Sequence, residues 1–283
     1  MTNIIDGKAL SLKVKSDLKL KVADFNAKFN RDITLAVVLV GENPASKVYV
    51  KNKILGCEFV GIKSLAFYLP ETSSTEDVLS CVNSLCQDKT VDGILVQLPL
   101  PKHIDEDKVL SAIVPEKDVD GFKEENIGKL CMNLPSTVAC TPYGIITMLK
   151  EYGVSMSGKN AVVIGRSNIV GKPVAMLLLN ENCTVTVCHS KTQNLPQITS
   201  KADILVAAIG RPKFVTEDMV KEGAVVIDVG INRTEDGLVG DVDFEKVKDK
   251  CALITPVPGG VGPMTIAMLL QNTYNCALRR EGC

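Results

Sequence analysis

Asn160-Ala161-Val162-Val163-Ile164-Gly165-Arg166-Ser167-Asn168-Ile169-Val170-Gly171 sets the fold class of this chain. Asn160 to Ile164 reads as a strand, and Val170 to Leu179 as the helix that follows. A turn that leaves a strand and opens a helix is where a phosphate belongs. The helix N-terminus presents unpaired N–H groups and the positive end of its dipole. The usual dinucleotide fingerprint is GxGxxG, whereas this turn reads GxSxxxG. Gly165, Arg166, Ser167, Val170 and Gly171 are therefore candidates for a cofactor cradle, with a purely structural turn as the alternative.

The next strand, Thr184 to Cys188, decides which cofactor. NAD-binding forms carry an acidic residue near this strand end for the ribose hydroxyls. Here the chain continues Cys188-His189-Ser190-Lys191, with no carboxylate to repel a 2′-phosphate, while Arg166, Ser190 and Lys191 could bind one. That favours NADP. Ile209-Gly210-Arg211-Pro212 ends a later strand, where backbone could face the nicotinamide ribose.

Outward from this unit the alternation continues in both directions. Asp203 to Ala207, Ala224 to Asp228 and Leu253-Ile254 read as further strands, and Met264 to Leu278 as a closing helix. Upstream, Leu10 to Phe29 is helical, with apolar residues at Leu10, Val14, Leu18, Val22 and Phe25. Thr34 to Val40 is a continuous β-branched run, the pattern of a buried strand. Pro44 to Val60 reads as a helix capped by Asn43, with proline at its first position. Ser64 to Leu69 is a strand, Glu76 to Cys86 a helix, and Gly93 to Leu98 a strand closed by Pro99.

Such repetition implies βαβ units and parallel sheets. The fold class is α/β with two domains: an N-terminal parallel-sheet α/β domain and a Rossmann-type NADP-binding domain, with a cleft between them. The boundaries expected are 1–140 plus 265–283 for the first and 141–264 for the second. Pro101 to Ala139 is less regular, either a loop with short helices or a linker. Thr141-Pro142 opens a helix through Tyr152. This helix and the last one are expected to bridge the domains.

Composition narrows the function. The chain has 283 residues, 46% hydrophobic and 23% charged, with a formal net charge of -1. It is long enough for about two domains at ~150 residues each. The balanced charge, 4% aromatic content and lack of tryptophan argue against a nucleic-acid surface. No apolar run reaches the ~18 residues of a membrane span, and Asp6 and Lys8 interrupt any N-terminal leader. A cytoplasmic protein is expected. The ten cysteines form no CxxC pair and there are only two histidines, so reduced thiols and no metal site are expected.

Within the first series, Ser46, Tyr49 and Lys53 share a stripe of the Pro44 helix. A lysine amine beside a phenol can do proton work; the alternative is a solvated lysine on an amphipathic helix. Gln97 lies at the end of the Gly93 strand, where α/β proteins bind ligands. Asp118 and Asp120 precede Gly121, as ligand groups or as hydrogen-bonded turn residues. Pro256-Val257-Pro258-Gly259-Gly260-Val261-Gly262-Pro263 is the most irregular string, and its glycines would admit close approach of a ligand to the backbone.

These strings taken together, Tyr49-x-x-x-Lys53, Val96-Gln97-Leu98-Pro99-Leu100-Pro101, Asp118-Val119-Asp120-Gly121, Gly165-Arg166-Ser167-x-x-Val170-Gly171 and Pro258-Gly259-Gly260-Val261-Gly262-Pro263-Met264-Thr265, resemble the methylenetetrahydrofolate dehydrogenase/methenyltetrahydrofolate cyclohydrolase (FolD) family over essentially the whole chain. The resemblance implies NADP-dependent oxidation of 5,10-methylenetetrahydrofolate and hydrolysis of the 5,10-methenyl product to 10-formyltetrahydrofolate, in one-carbon metabolism. It makes Lys53 the central catalytic group and places Tyr49 on the folate ring system. Gln97 would hydrogen-bond Lys53, and Asp120 would accept from the pterin. Gly259, Gly260 and Pro263 would border folate. Arg166 and Ser190 would take the 2′-phosphate, with His189 and Ile231 joining the cofactor-binding set. A homodimer is implied as well. Tyr143 stands where family members often carry a basic residue, and some members use NAD or have one activity. A monofunctional dehydrogenase and a non-catalytic NADP-binding regulatory protein therefore remain as alternatives. A short-chain dehydrogenase would need Tyr49 and Lys53 after the Gly165 turn, in one domain.

Overall fold

In the computed structural model, which describes residues 3–235 and 237–283, the apolar runs alternate as strands and helices from end to end. In order these are β1 (Asn3–Ile4), α1 (Gly7–Phe29), β2 (Thr34–Val40), α2 (Pro44–Val60), β3 (Lys63–Leu69), α3 (Thr75–Gln87), β4 (Gly93–Val96), α4 (Glu106–Ser111), α5 (Glu124–Cys131) and α6 (Cys140–Glu151). Then follow β5 (Asn160–Ile164), α7 (Gly171–Asn180), β6 (Thr184–Cys188), α8 (Leu195–Thr199), β7 (Ile204–Ala207), β8 (Val225–Asp228), β9 (Asn232–Thr234), β10 (Gly237–Val239), α9 (Phe244–Val247), β11 (Leu253–Ile254) and α10 (Val261–Arg280).

The chain divides into two units. One comprises Leu12–Cys140 and Ile266–Cys283; the other comprises Thr141–Thr265 together with the N-terminal residues through Ser11. The first holds a parallel three-stranded sheet, ordered β3-β2-β4. Every residue of β2 is buried, as its unbroken apolar run requires, and Val37 pairs with Ala66 on one side and Leu95 on the other. Helix α2 starts where Asn43 accepts the Ala45 and Ser46 amides and stops at Gly61, whose φ of 82° reverses the chain. Behind the sheet, the buried Asp92 carboxylate accepts from the Thr34 amide, from Arg31 twice and from Arg280. Strand β4 ends at Val96 rather than Leu98, because Gln97 makes its last ladder bond to Val38 O (2.8 Å) and Pro99 lacks an N–H. The stretch from Pro101 to Ala139 is a loop with two short helices, not a linker.

The second unit holds a six-stranded sheet, β1-β11-β8-β7-β5-β6, with each pair parallel. Chain order reverses at β5, which has β6 on one side and β7 on the other. That is the switch point beyond whose strand ends α/β proteins bind ligands, and the Gly165 turn leaves from it. The N-terminal residues, expected with the first domain, group with this sheet instead. Asn3 and Ile4 pair with Leu253 and Ile254, Lys8 N donates to Gly259 O (3.0 Å), and Ser11 Oγ donates to Pro263 O (2.9 Å). Gly7 permits the approach, since a Cβ there would lie 1.8 Å from the Gly260 oxygen. Two residues are too few for periodicity to mark β1, and its pairing spans almost the whole chain.

Candidate active site

Lys53 projects from α2 and its Nζ donates to Gln97 Oε1 at 2.9 Å. Gln97 is buried and its Nε2 donates to Leu98 O (2.6 Å), which fixes the amide so that its oxygen faces the ammonium. Two residues 44 apart in sequence thus meet because β4 delivers Gln97 beside α2. Tyr49, one turn before Lys53, is 45% exposed, so its ring face is free to stack. Ser46, on the same stripe, is buried at the capped start of the helix.

The two acids near Gly121 divide the roles weighed for them. Asp118 is buried and accepts from Gly121 N (2.9 Å), Lys123 N (2.9 Å) and Asn126 Nδ2 (2.9 Å), which makes it the residue that shapes the loop. Asp120 has no such set. Burial pushes its carboxyl up to about 6, opposed by the positive charge of Lys53 and reinforced by Asp118. A carboxyl titrating there is mostly ionised at neutral pH and can then serve as an acceptor. Lys53, Gln97 and Asp120 thus supply a cation, a neutral acceptor and an anion within one unit.

In the other unit the β5–α7 turn holds the residues expected from sequence to form a cradle. Gly165 has φ 123°, and a Cβ there would lie 2.2 Å from Ala208 O; one at Gly171 would lie 2.3 Å from Gly165 O. Ser167 Oγ accepts the Val170 (3.2 Å) and Gly171 (3.3 Å) amides. Arg166 and Ser190 are exposed at the ends of the adjacent strands β5 and β6, joined by Gly165 N to Cys188 O at 2.9 Å. His189 is held in a tight turn, where its amide meets Thr192 Oγ1 (2.8 Å) and its Nδ1 accepts the Lys191 amide (3.1 Å). Ile231 is 51% exposed. The tight glycine turn, the N-terminus of α7 and the basic, acid-free end of β6 fit a dinucleotide bearing an extra phosphate. A methyl group at Gly171 must displace backbone, so Gly171→Ala is expected to cost about 1–3 kcal/mol and to weaken NADP binding at least tenfold in a fluorescence titration. Unchanged affinity would show that the turn is not the cradle.

Gly259, Gly260 and Pro263 lie with the Gly165 turn, not in the unit of Lys53. Close packing already explains part of this loop, since a Cβ on Gly260 would meet Pro256 O at 2.6 Å, whereas Gly259 is open around its α-carbon. The Ile209, Gly210 and Arg211 amides, read from sequence as facing a ribose, are instead bound by Asp241 (2.7, 3.0 and 2.8 Å). Tyr143 is half-buried on α6, and burial raises its hydroxyl. The separation of Tyr49 and Lys53 from Gly165 into different units excludes the one-domain arrangement of a short-chain dehydrogenase.

Sequence reasoning missed Asp228 and Asp241, buried acids that tie the strand ends of the cofactor unit. Asp228 accepts from Gly230 N, Asp241 N and Val242 N at 3.0, 2.8 and 2.9 Å, and Asp241 also accepts from Asn232 Nδ2 at 3.0 Å. Burial raises Asp228 to about 6, and its three amide bonds oppose the rise. An acid closing an otherwise apolar strand, as in Val225–Asp228, was the available signal. Cys140, which contacts Asp120, and Asn272, which contacts Cys140, were also missed.

Two family models match. The tetrahydrofolate dehydrogenase/cyclohydrolase catalytic domain covers residues 5–120, and the NAD(P)-binding domain of the same family covers residues 139–281. A Campylobacter concisus protein named Bifunctional protein FolD is 61% identical over 275 residues, 97% of each chain. The crystal structure of the bifunctional FolD dehydrogenase/cyclohydrolase from Campylobacter jejuni superposes with a TM-score of 0.96 at 52% identity, covering 98% of this chain and 99% of that one. A Trypanosoma brucei methylenetetrahydrofolate dehydrogenase-cyclohydrolase, complexed with NADP and an inhibitor, gives a TM-score of 0.94 at 38% identity, covering 99% and 98%.

Proposed function

Since the chain belongs to the tetrahydrofolate dehydrogenase/cyclohydrolase family, we propose that Lys53 and the residues around it carry out both reactions of that family on a reduced folate. The enzyme is bifunctional: it oxidises 5,10-methylenetetrahydrofolate with NADP to the 5,10-methenyl cation, then adds water to give 10-formyltetrahydrofolate. The observation that carries the residue assignment is the Lys53–Gln97 hydrogen bond beside the desolvated Asp120.

Asp120, ionised at neutral pH, accepts from the pterin amino group and ring N–H, and Tyr49 stacks on the ring. The carbon to be oxidised is flanked by two nitrogens whose lone pairs stabilise the developing cation. The oxidation therefore needs alignment rather than a strong base. NADP, when bound, supplies the hydride acceptor. Gly165, Ser167, Val170 and Gly171 hold its pyrophosphate side, Arg166 and Ser190 its 2′-phosphate, and His189 and Ile231 flank it. Hydration of the methenyl cation forms a C–O bond with loss of one proton from water; the new hydroxyl then becomes the formyl C=O as the bond from that carbon to N5 breaks and N5 takes the hydroxyl proton, and Lys53 handles the proton released. Gln97 accepts one ammonium N–H and so sets where the rest of the amine points. Gly259, Gly260 and Pro263 are assigned to the folate border on family resemblance; a homodimer and a role in purine biosynthesis rest on the same resemblance, and a cytoplasmic location on the apolar pattern of the sequence.

The dehydrogenase step draws on both units, the cyclohydrolase step on the unit of Lys53. Mixing protein, NADP and methylenetetrahydrofolate should produce NADPH together with a methenyl absorbance that rises and then decays. A methenyl signal that never decays beyond the spontaneous rate would leave only a dehydrogenase. Arg166→Ala should raise the KM for NADP tenfold or more, at about 1.5–3 kcal/mol per charge-assisted contact, with little change in the KM for folate. Equal changes in both would remove Arg166 from the phosphate site.

A further inference from the structure

Asp120 is held from behind by residues that touch no proposed ligand. Among the described residues its one side-chain hydrogen-bond partner is the thiol of Cys140, whose single hydrogen is shared between Val119 O at 3.3 Å and Asp120 Oδ1 at 3.8 Å. Cys140 is buried at the start of α6. Asn272, buried on α10, donates its two amide hydrogens to Val119 O and Val138 O (2.9 Å each), and the Cys140 sulfur packs against the same nitrogen at 3.6 Å. A single amide therefore joins the backbone before Asp120 to the segment that carries the thiol. The two segments also press together at Gly121, where a Cβ would lie 2.6 Å from both Val138 C and Ala139 N.

We infer that Cys140 is a positioning residue for the dehydrogenase and cyclohydrolase reactions: its thiol, braced by Asn272, orients the Asp120 carboxylate and favours its ionised form without saturating it. The inference rests on the assignment of Asp120 to the pterin. The residue type follows from that task. A thiol is a weak donor, so it biases the carboxylate while leaving lone pairs open for the pterin N–H groups. Asp118, satisfied by three strong donors, is closed to a ligand. Burial holds the Cys140 thiol well above its ordinary range, so it stays protonated and remains a donor. The other titratable or charged groups acting on Asp120 are Lys53 from α2 and Asp118 from its own loop; α10 contributes the neutral Asn272.

The test is the pH dependence of kcat/KM for methylenetetrahydrofolate between about pH 5 and 8, in wild type, Cys140→Ala and Cys140→Ser. Loss of a hydrogen bond to the charged form raises a carboxyl pKa, so Cys140→Ala should move the acidic limb up by about half a unit and cut kcat/KM about twofold near pH 6. Serine, a stronger donor, should move the limb down. The KM for NADP should stay unchanged in both. An unmoved limb in both variants, or a shift in the same direction in both, overturns the inference. If Cys140→Ala does not fold, the serine variant alone decides, and an unmoved limb there overturns it. Asp120→Asn separates the premise: loss of the limb with a raised folate KM supports the pterin assignment, whereas retention of both refutes that assignment whatever the cysteine variants do.

Discussion

Lys53→Ala is expected to lower the cyclohydrolase rate by about 10²–10⁴, the range that a positioned general acid–base group contributes, and to reduce the dehydrogenase rate much less. The asymmetry follows from the chemistry of the two steps. Oxidation at a carbon between two nitrogens needs the substrate held in line, and Tyr49, Gln97 and Asp120 remain to hold it. Hydration must move a proton, and Lys53 is the amine hydrogen-bonded at this site. Stopped-flow decay of added methenyltetrahydrofolate measures the second step alone. Full cyclohydrolase activity in the variant would refute the role given to Lys53, and an equal loss of both activities would make it a binding residue rather than a proton carrier.

The second large effect falls far from Lys53 in sequence. Asp241 is fully buried and accepts from the Ile209, Gly210 and Arg211 amides and from Asn232. Asp241→Ala leaves those donors without a partner in the protein interior. Each orphaned buried donor costs about 1–3 kcal/mol, and water reaching the cavity offsets part of the sum. A net loss of about 3–5 kcal/mol is expected, at the destabilising end for single substitutions. At about 2–4 °C per kcal/mol for a unit of this size, the Tm should fall by roughly 10 °C. Scanning calorimetry checks this, and a Tm within a degree of wild type would show that the amides find other partners. NADP affinity should fall as well, because the tethered loops follow β7 and β8 in the same sheet as the Gly165 turn.

Legibility from sequence tracked the range of the interaction. Strands β2, β5, β7 and β8 stood out as buried apolar runs, and α2 through Asn43 and Pro44, because those signals lie within a few residues. The Gly165 turn was legible for the same reason. Lys53, with so common a residue spacing around it, was singled out only in company with the Gln97, Asp120 and Gly259 strings. Asp241 is an ordinary acid in sequence and Asp228 is marked only by closing an apolar strand; the importance of both lies in amides that arrive from other loops.

Sequence alone determined the α/β class, the family, and which residue types could bind a phosphate or move a proton, since periodicity, turn chemistry and side-chain chemistry are local properties of the chain. Tertiary structure decided the rest. It set Gln97 as the acceptor facing Lys53, made Asp118 a shaping residue while leaving Asp120 without such a set of donors, placed the first residues beside β11, and brought a thiol to Asp120. The physical reason is that each of these depends on desolvation and on a partner from a distant segment, and both exist only once the chain has folded.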